Sequence, residues 1–416
     1  MLSTSHHAAL DRWVDDHFDE QIRMLQDLVR LPCDTPPGDN APHAERTAQW
    51  LESFGLAVER HEVPPQRVHA QGLRTITNLI VRRRYAAGGP VIALNAHGDA
   101  VPAGEGWSRE PYGAQIVDGK LYGRGSAVSK CDFSTYSFAL RALESLGLPL
   151  RGGVELHFTY DEEYGGELGP GWLLEQGLSR PDLEIGAGFS YQVVTAHNGC
   201  LQLEVTVHGV MAHAAIPHSG VDALQAAVAI LGMLYELNRG LREQRSHVAG
   251  IDHPYLNVGT IEGGTNTNVV PGKVVFRLDR RMIPEEDPVR VEAALREAIG
   301  GVAAHQPGIR VEVRRLLLAH ALRPLEGNRE LVRALQRHAE QIFREPIPVT
   351  GTPLYTDVRL YSERGVPAAI YGAGPRTVRE SNAKRADEHI RLDDLRGATK
   401  VVARTLLDLL SAAPGR

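Results

Sequence analysis

Along this 416-residue chain the spacing of apolar positions changes period, and the changes mark out elements. Trp13, Phe18, Ile22, Leu25 and Leu28 recur at helical spacing and predict a helix running to Arg30, where the loop "LPCDTPPGDN" stops it. A second helix is expected around Ala44 to Phe54. "TNLIVRRR" and "PVIALNAHGD" read as strands, the latter almost unbroken in apolar residues until its polar end, as a buried central strand would be. "DFSTYSFALRALESLG" predicts an amphipathic helix, and "GGVELHFTYDEEYGG" another buried strand that ends in acids. Helices alternating with buried strands predict an α/β layered domain over roughly the first 195 residues.

The pattern then shifts. "CLQLEVTVHG" alternates cleanly, as in a strand with one wet face. After it come a long helix ("GVDALQAAVAILGMLYELN"), two strands ("LNVGTIEGG", "GKVVFRLDRRMIP"), a helix ("PVRVEAALREAIG") and a last strand ("IRVEVRRLLL"). That order is the split βαβ of a small ferredoxin-like α+β domain. Past His320 the helix–strand alternation resumes, and "VPAAIYGAG" predicts another buried strand. The expected organisation is therefore one α/β domain built from residues 1–197 and 319–416, with an inserted domain over 198–318.

Composition narrows the partners. Hydrophobic residues at 43% and charged residues at 23% are ordinary for a folded globular protein. A net charge of −6 without a basic stripe predicts no nucleic-acid partner and no attachment to anionic lipid. Cys33, Cys131 and Cys200 lie far apart without CxxC spacing, which predicts reduced thiols and a cytoplasmic setting. The first thirty residues carry charges throughout and show neither a leader-type apolar stretch nor a membrane span.

Polar residues collect at the ends of the predicted buried strands, where open α/β sheets bind ligands. "NAHGDAVP" supplies His97 and Asp99, and "TYDEEYGG" supplies Asp161, Glu162 and Glu163. Adjacent glutamates at a strand end can point apart, one acting as a base and the other binding a cation. The plainer alternatives are a solvated acidic loop and a structural histidine; both groups at strand ends of one sheet favour a site. "YGRGSAVSKCD", residues 122 to 132, reads as a turn that opens a helix and carries a polar site, yet apolar Val128 sits at its centre.

Taken together and in this order, "HGDAVP", "GWSREPYGAQIVDGKLYGRG", "DEEYGG", "GVMAHAAIPHSGVDAL", "GGTNTNVVPGKVVFRLDRR" and the terminal "GAGPR…RADEHIRLDDL" carry a resemblance over almost the whole chain. The chain resembles the cocatalytic-zinc peptidase and amidohydrolase family of acetylornithine deacetylase, succinyl-diaminopimelate desuccinylase and glutamate carboxypeptidase. The resemblance implies a mixed-sheet zinc-exopeptidase-like catalytic domain interrupted by a ferredoxin-like dimerisation domain, and so a homodimer. It implies His97 as a metal ligand, Asp99 as the group that orients it, Glu162 as general base and Glu163 as a metal ligand. It implies that His213 and Asn268 reach a partner subunit's site to steady an oxyanion, and that Arg281 grips a substrate carboxylate.

Three of the five ligand positions that the resemblance implies are occupied by other residues. The bridging aspartate falls on Val128, a further carboxylate on Gly188 and the last histidine on Lys384. His97 and Glu163 alone are fewer than the three protein ligands a catalytic zinc normally has, so a standard two-zinc centre is not expected. Two repairs remain open. In one, Asp132, four residues after Val128 and about 5–6 Å further along a helix, joins His97 and Glu163 around a single zinc or manganese. Asp357, His197 and His389 are further candidate ligands. In the other no metal binds: all three replacements move the site toward positive charge, and Lys384 pairs with Glu162 or Glu163 or polarises a carbonyl.

The leading expectation is a hydrolase acting on a C–N bond of a small carboxylate-bearing molecule, with deacetylase-like chemistry and variant reactions such as deamination of an aromatic amine both compatible. The alternatives are a catalytically degenerate small-molecule binder or scaffold, and a conventional deacetylase or desuccinylase with two metals per subunit.

Overall fold

A computed structural model describes residues 4–411. The chain divides into two compact units, one built from residues up to Thr195, 324–350 and from 356 onward, the other from 196–323 and 351–355. The expected joints at 197/198 and 318/319 fall at 195/196 and 323/324 instead. The return of 351–355 to the inserted unit has no counterpart in the apolar pattern, because five residues are too few to show a period.

The first unit is layered around an eight-stranded mixed sheet in the order Val58–Glu62, Thr77–Arg84, Arg151–Thr159, Ala86–His97, Leu183–Gly186, Ala368–Ile370, Val193–His197 and Val349–Thr352. Its centre is parallel: Arg151–Thr159 and Leu183–Gly186 flank Ala86–His97, and Ala368–Ile370 runs beside Leu183–Gly186. The register pairs His97 with Thr159, Asn95 with Gly186, and Gly186 with Ile370. Four strands thus end at one rim, and whatever follows each of them in sequence is delivered there.

The helix Lys130–Ser145 departs from its expected amphipathic character. Every residue from Lys130 to Leu140 is buried, because the helices Phe18–Arg30 and Leu392–Ser411 and the central strands all pack on it. Its polar side chains are accommodated locally: Ser134 and Thr135 donate to the Cys131 carbonyl and Ser137 to that of Phe133. The expected single opening helix is two, Thr4–Asp16 and Phe18–Arg30. His17 makes the break by turning its Nδ1 to the Trp13 carbonyl at 2.8 Å and stacking on the Trp13 ring at 3.9 Å.

The second unit is a four-stranded antiparallel sheet in the order Tyr255–Gly263, Lys273–Met282, Gly199–His208 and Arg310–Ala319, with helices Ala223–Leu241 and Pro288–Ala304. This is the ferredoxin-like arrangement that the element order predicts. Leu201, Leu203, Val205 and Val207 alternate inward from the central strand and meet Ala226, Ala227, Ile230 and Leu234 of the first helix in one core. Both long helices start on an aspartate cap: Asp222 accepts from Leu224 and Gln225, and Asp287 from Val289 and Arg290. No helix among the described residues is long and apolar enough to cross a membrane, and all three cysteines are free and buried.

The first unit also carries a polar staple across three helices. Asp408 of Leu392–Ser411 takes His7 Nε2 of Thr4–Asp16 at 3.1 Å and His338 Nε2 of Arg329–Phe343 at 2.7 Å, with Arg337 at 2.5 Å. Burial works against the Asp408 charge, but the hydrogen bonds and charges of His338 and His7 outweigh it and hold the carboxyl at about 2, below its ordinary 3.8. A carboxyl depressed in the fold stabilises above its unfolded value and loses that contribution as pH falls through the folded one. Asp408→Asn should therefore cost about 2 kcal/mol at neutral pH and flatten the loss of stability between about pH 4 and pH 2, measured by urea unfolding across that range.

Candidate active site

His97 is the last residue of its strand, and Ser129 fixes its backbone: the hydroxyl accepts from His97 N at 3.1 Å and donates to His97 O at 3.0 Å. The ring Nδ1–H donates to the Asp99 carbonyl at 2.9 Å, and the Asp99 carboxylate lies 3.4 Å from the same nitrogen. Asp99, fully buried, also accepts the Glu163 backbone N–H at 3.1 Å. One aspartate thus orients the imidazole and ties its strand to the next strand's acidic turn. The other ring nitrogen, Nε2, faces Glu162 Oε2 at 3.7 Å. Burial opposes a charge on this ring, but Glu162, Asp99 and Glu163 together raise His97 to about 10.

Glu162 and Glu163 open a short 3-10 turn after the Arg151–Thr159 strand, and their side chains meet different partners. Glu163 Oε2 takes the Lys384 ammonium at 2.6 Å; the lysine side chain is 49% exposed, the glutamate 6%. Burial works against a charge on the lysine, but Glu163 and Glu162 outweigh it and raise the pKa above its ordinary value. The Glu162 carboxylate takes no hydrogen bond among the described residues.

Lys384 is placed by Glu388. This buried carboxylate binds the buried Arg124 guanidinium at 2.5 Å and accepts backbone N–H groups from Ala127 at 3.1 Å, Val128 at 3.3 Å and Lys384 at 3.3 Å. Arg124 also donates to the Ala103 carbonyl. Lys384 itself has φ 62, a left-handed conformation seldom taken by a residue with a side chain. Lys130 of the same stretch is turned away: its ammonium is buried and donates to the carbonyls of Leu28 and Leu31, capping the C-terminus of the helix Phe18–Arg30. Arg124 and Glu388 lie inside the motifs that carry the resemblance, yet sequence reasoning assigned them no role; a charged residue flanked by two turn glycines was the available signal.

Asp132, expected as a metal ligand, is engaged by backbone N–H groups. Its carboxylate is 1% exposed and accepts the backbone N–H of Ala373 at 2.7 Å and of Gly188 at 3.3 Å, so it ties together two strand-end loops. Among the described residues the ligand atoms of His97, Glu163 and Asp132 do not gather within 4.8 Å of one another; only His7, His338 and Asp408 do so as a trio. Gly188 has no room for a ligand either, since a Cβ there would stand 2.2 Å from Ile370 Cγ2. His389 directs Nδ1 to the Asp387 carbonyl at 2.9 Å and packs its ring against Tyr122. Asp357 is buried, both its oxygens lack a hydrogen-bond partner, and the absent side chain of Gly166 leaves it space, a Cβ there falling 2.0 Å from Asp357 Oδ1. Burial first and the Glu162 charge second push its carboxyl well above the ordinary range. With Val128, Gly188 and Lys384 at three donor positions and an ammonium on Glu163, the donor set does not fit a two-zinc centre.

The remaining candidates belong to the second unit. His213 and Asn268 are exposed neighbours: the two segments pair at His213 and Val269, and Ala214 N donates to the Asn268 carbonyl at 3.0 Å. His213 Nδ1 accepts from Ala215 N at 3.0 Å, which assigns the ring proton to Nε2 and leaves it outward as a donor. Arg281 is forked on Asp279 at 2.7 and 3.3 Å and lies over the Tyr355 ring. His197 is buried, with Nδ1 near the Asn198 carbonyl at 2.8 Å and Leu322 N at 3.3 Å.

Residues 93–408 match the model of peptidase family M20/M25/M40. The fold is similar to that of human carnosine dipeptidase 1, with TM-score 0.78 and 17% identity over 97% of this chain and 98% of that one. It is also similar to an M20 family metallo-carboxypeptidase from Sulfolobus solfataricus, with TM-score 0.75 and 17% identity over 93% and 98% of the two chains. A dinuclear metal-binding M20 peptidase from Bacillus subtilis matches with TM-score 0.64 and 18% identity over 95% and 99%.

The Glu388–Arg124 pair gives the site's first test. Removing one partner of a buried ion pair leaves an uncompensated charge, so Glu388→Gln should lose about 3–5 kcal/mol in urea unfolding. A loss under about 1 kcal/mol, the size of an exposed pair's contribution, would mean that the carboxylate does not hold the site together.

Proposed function

The chain belongs to peptidase family M20/M25/M40, and we propose that it hydrolyses a C–N bond, in an amide, a peptide or an amine, of a small carboxylate-bearing molecule, with Glu162 as general base. One observation carries this reading. Among four acids at the rim, three are committed: Asp99 to Glu163 N and the His97 ring, Asp132 to two backbone N–H groups, Glu163 to Lys384. Glu162 alone takes no side-chain hydrogen bond among the described residues; it is 8% exposed at the rim, and its charged neighbour is the His97 ring, with Nε2 at 3.7 Å. A base must have lone pairs to spare for water, and this is the acid that has them.

The proposal takes His213 and Asn268 from a second copy of the chain as donors to the oxyanion, which the outward Nε2–H of His213 suits. Arg281 is the proposed anchor for a substrate carboxylate; Asp279 occupies its Nε and Nη2 edge, so the substrate would be met by Nη1 or would displace the aspartate. The homodimer is supported by apolar surface on the inserted unit. Leu224, Val228 and Tyr235 stand 43%, 59% and 47% exposed along one stripe of the helix Ala223–Leu241, and Ile261 is 51% exposed on the edge strand packed beside it. A helix apolar on two faces, next to an unpaired strand edge, matches the self-complementary patch of a two-fold interface.

Two measurements test these statements. Glu162→Gln, assayed for amine release from a panel of dipeptides, N-acyl amino acids and amino-substituted aromatic acids, should lower kcat by about 10²–10⁴ with KM little changed; full retained turnover would remove Glu162 from its role. Val228→Asp should convert a dimer to a monomer in sedimentation velocity without changing the circular dichroism spectrum, and an unchanged dimer would place the interface elsewhere.

A further inference from the structure

We propose that the Lys384 ammonium is the built-in cation of this site, standing on Glu163 where a metal ion would otherwise be held, and that the chain acts on its substrate's carbonyl without a bound metal. The inference deepens the hydrolytic reading and rests on it for the chemistry, but its electrostatic half stands alone.

Three features of the molecule converge on it. Each position that lacks a donor is closed rather than merely altered. Val128 offers an aliphatic side chain, Gly188 abuts Ile370, and Asp132 spends its carboxylate on Ala373 and Gly188. The acid that could still bind a cation, Glu163, already binds one at 2.6 Å. A divalent ion on the same carboxylate would sit against an ammonium of like sign.

The second feature is that the lysine is held in place. Its backbone takes a left-handed conformation, and its N–H ends on Glu388, the same carboxylate that receives Val128 N. Two of the three positions that depart from the expected ligand set are therefore fixed by one group, so an aliphatic residue at 128 and an ammonium at 384 form a single local arrangement. The third feature is exposure: the lysine side chain is half-exposed while its partner Glu163 is buried. The ammonium has three N–H bonds, one of which serves Glu163, and the others are available to an incoming oxygen.

The step balances on these residues alone. Water's oxygen bonds to the carbonyl carbon as Glu162 takes its proton, and the carbonyl π pair moves to oxygen, where Lys384 Nζ–H donates to it. When the tetrahedral adduct collapses, the C–N bond breaks and Glu162 returns the proton to nitrogen, releasing a carboxylic acid and an amine. A lysine ammonium acts here as a point charge toward a developing oxyanion.

The test separates the cation from the catalysis. Metal content of the purified full-length chain by plasma mass spectrometry, and zinc titration followed by calorimetry and thermal melting, need no substrate. The native chain should carry well under one equivalent of any divalent metal and show no melting shift with zinc, whereas Lys384→His, which removes the ammonium and adds a donor, should bind zinc measurably more tightly. Lys384→Arg, which keeps the charge, serves as the folding control and should stay zinc-free. One or more tightly held equivalents in the native chain, or zinc affinity unchanged in Lys384→His, would overturn the inference. Where turnover is found, it should persist in phenanthroline and fall by about 10²–10³ in Lys384→Met; inhibition by the chelator would overturn the inference even if the metal content were low. A zinc-free native chain inactive on every substrate would refute the hydrolytic reading and leave the cation assignment standing.

Discussion

The arrangement at the rim depends on one buried carboxylate. Glu388 joins a guanidinium and three backbone N–H groups drawn from two segments some 260 residues apart in sequence. Taking a glutamate out of water is unfavourable unless its lone pairs are satisfied, and here they are satisfied by the turn that holds Val128 and by the loop that holds Lys384. The turn is held from its other side as well, because Lys130 hangs on the C-terminal carbonyls of the helix Phe18–Arg30. A loop clamped at both ends keeps its shape whatever side chain stands at its middle. That explains how an aliphatic residue can occupy position 128 with the surrounding geometry intact.

The sheet supplies the rest of the positioning. Parallel register delivers His97, the Asp161–Glu163 turn, the Gly188 segment and the Tyr371–Gly374 segment to the same end of neighbouring strands. Short links then lock the deliveries together: Ser129 to His97, Asp99 to Glu163, Asp132 to Gly188 and Ala373. The two glutamates of the acidic turn become chemically distinct through this scaffolding. Glu163 has its backbone on Asp99 and its side chain on Lys384, and Glu162 is left open beside His97.

Periodicity made the architecture legible, because the buried strands are nearly continuous apolar runs and the inserted sheet alternates with period two. It could not show that Lys130–Ser145 is surrounded, since serine and threonine hydroxyls bonded to their own helix look like a polar face in sequence. The rim acids were legible from their place after buried strands, and Asp99, which the resemblance implies as the group that orients His97, meets the ring nitrogen with its carbonyl and its carboxylate. The partners of Asp132 were not legible, for a definable reason. Helical spacing from Val128 describes only the helix's own geometry, whereas the backbone N–H groups that claim this carboxylate come from residues 188 and 373. The same limit hid the Arg124–Glu388 pair, whose members are 264 residues apart, whereas the Asp279 fork on Arg281 joins residues i and i+2 on one face of a single strand.

A rim with four acids and a histidine needs positive charge to coexist as a folded surface, whether the charge arrives as an ion from solution or is carried by the chain. A tethered ammonium is present at every metal concentration, but it is a single charge and its direction is set by one side chain. It can neutralise one glutamate and leave another open only if it is aimed at the right one. Here the aim is set by the backbone, since Lys384 N on Glu388 and φ 62 at its Cα restrict where the side chain can start. Directed at Glu163, the ammonium leaves Glu162 with the His97 ring as its charged neighbour and with lone pairs still open to water. Had the lysine met Glu162 instead, the same charge balance would have given a stable rim with no acid left to accept a proton.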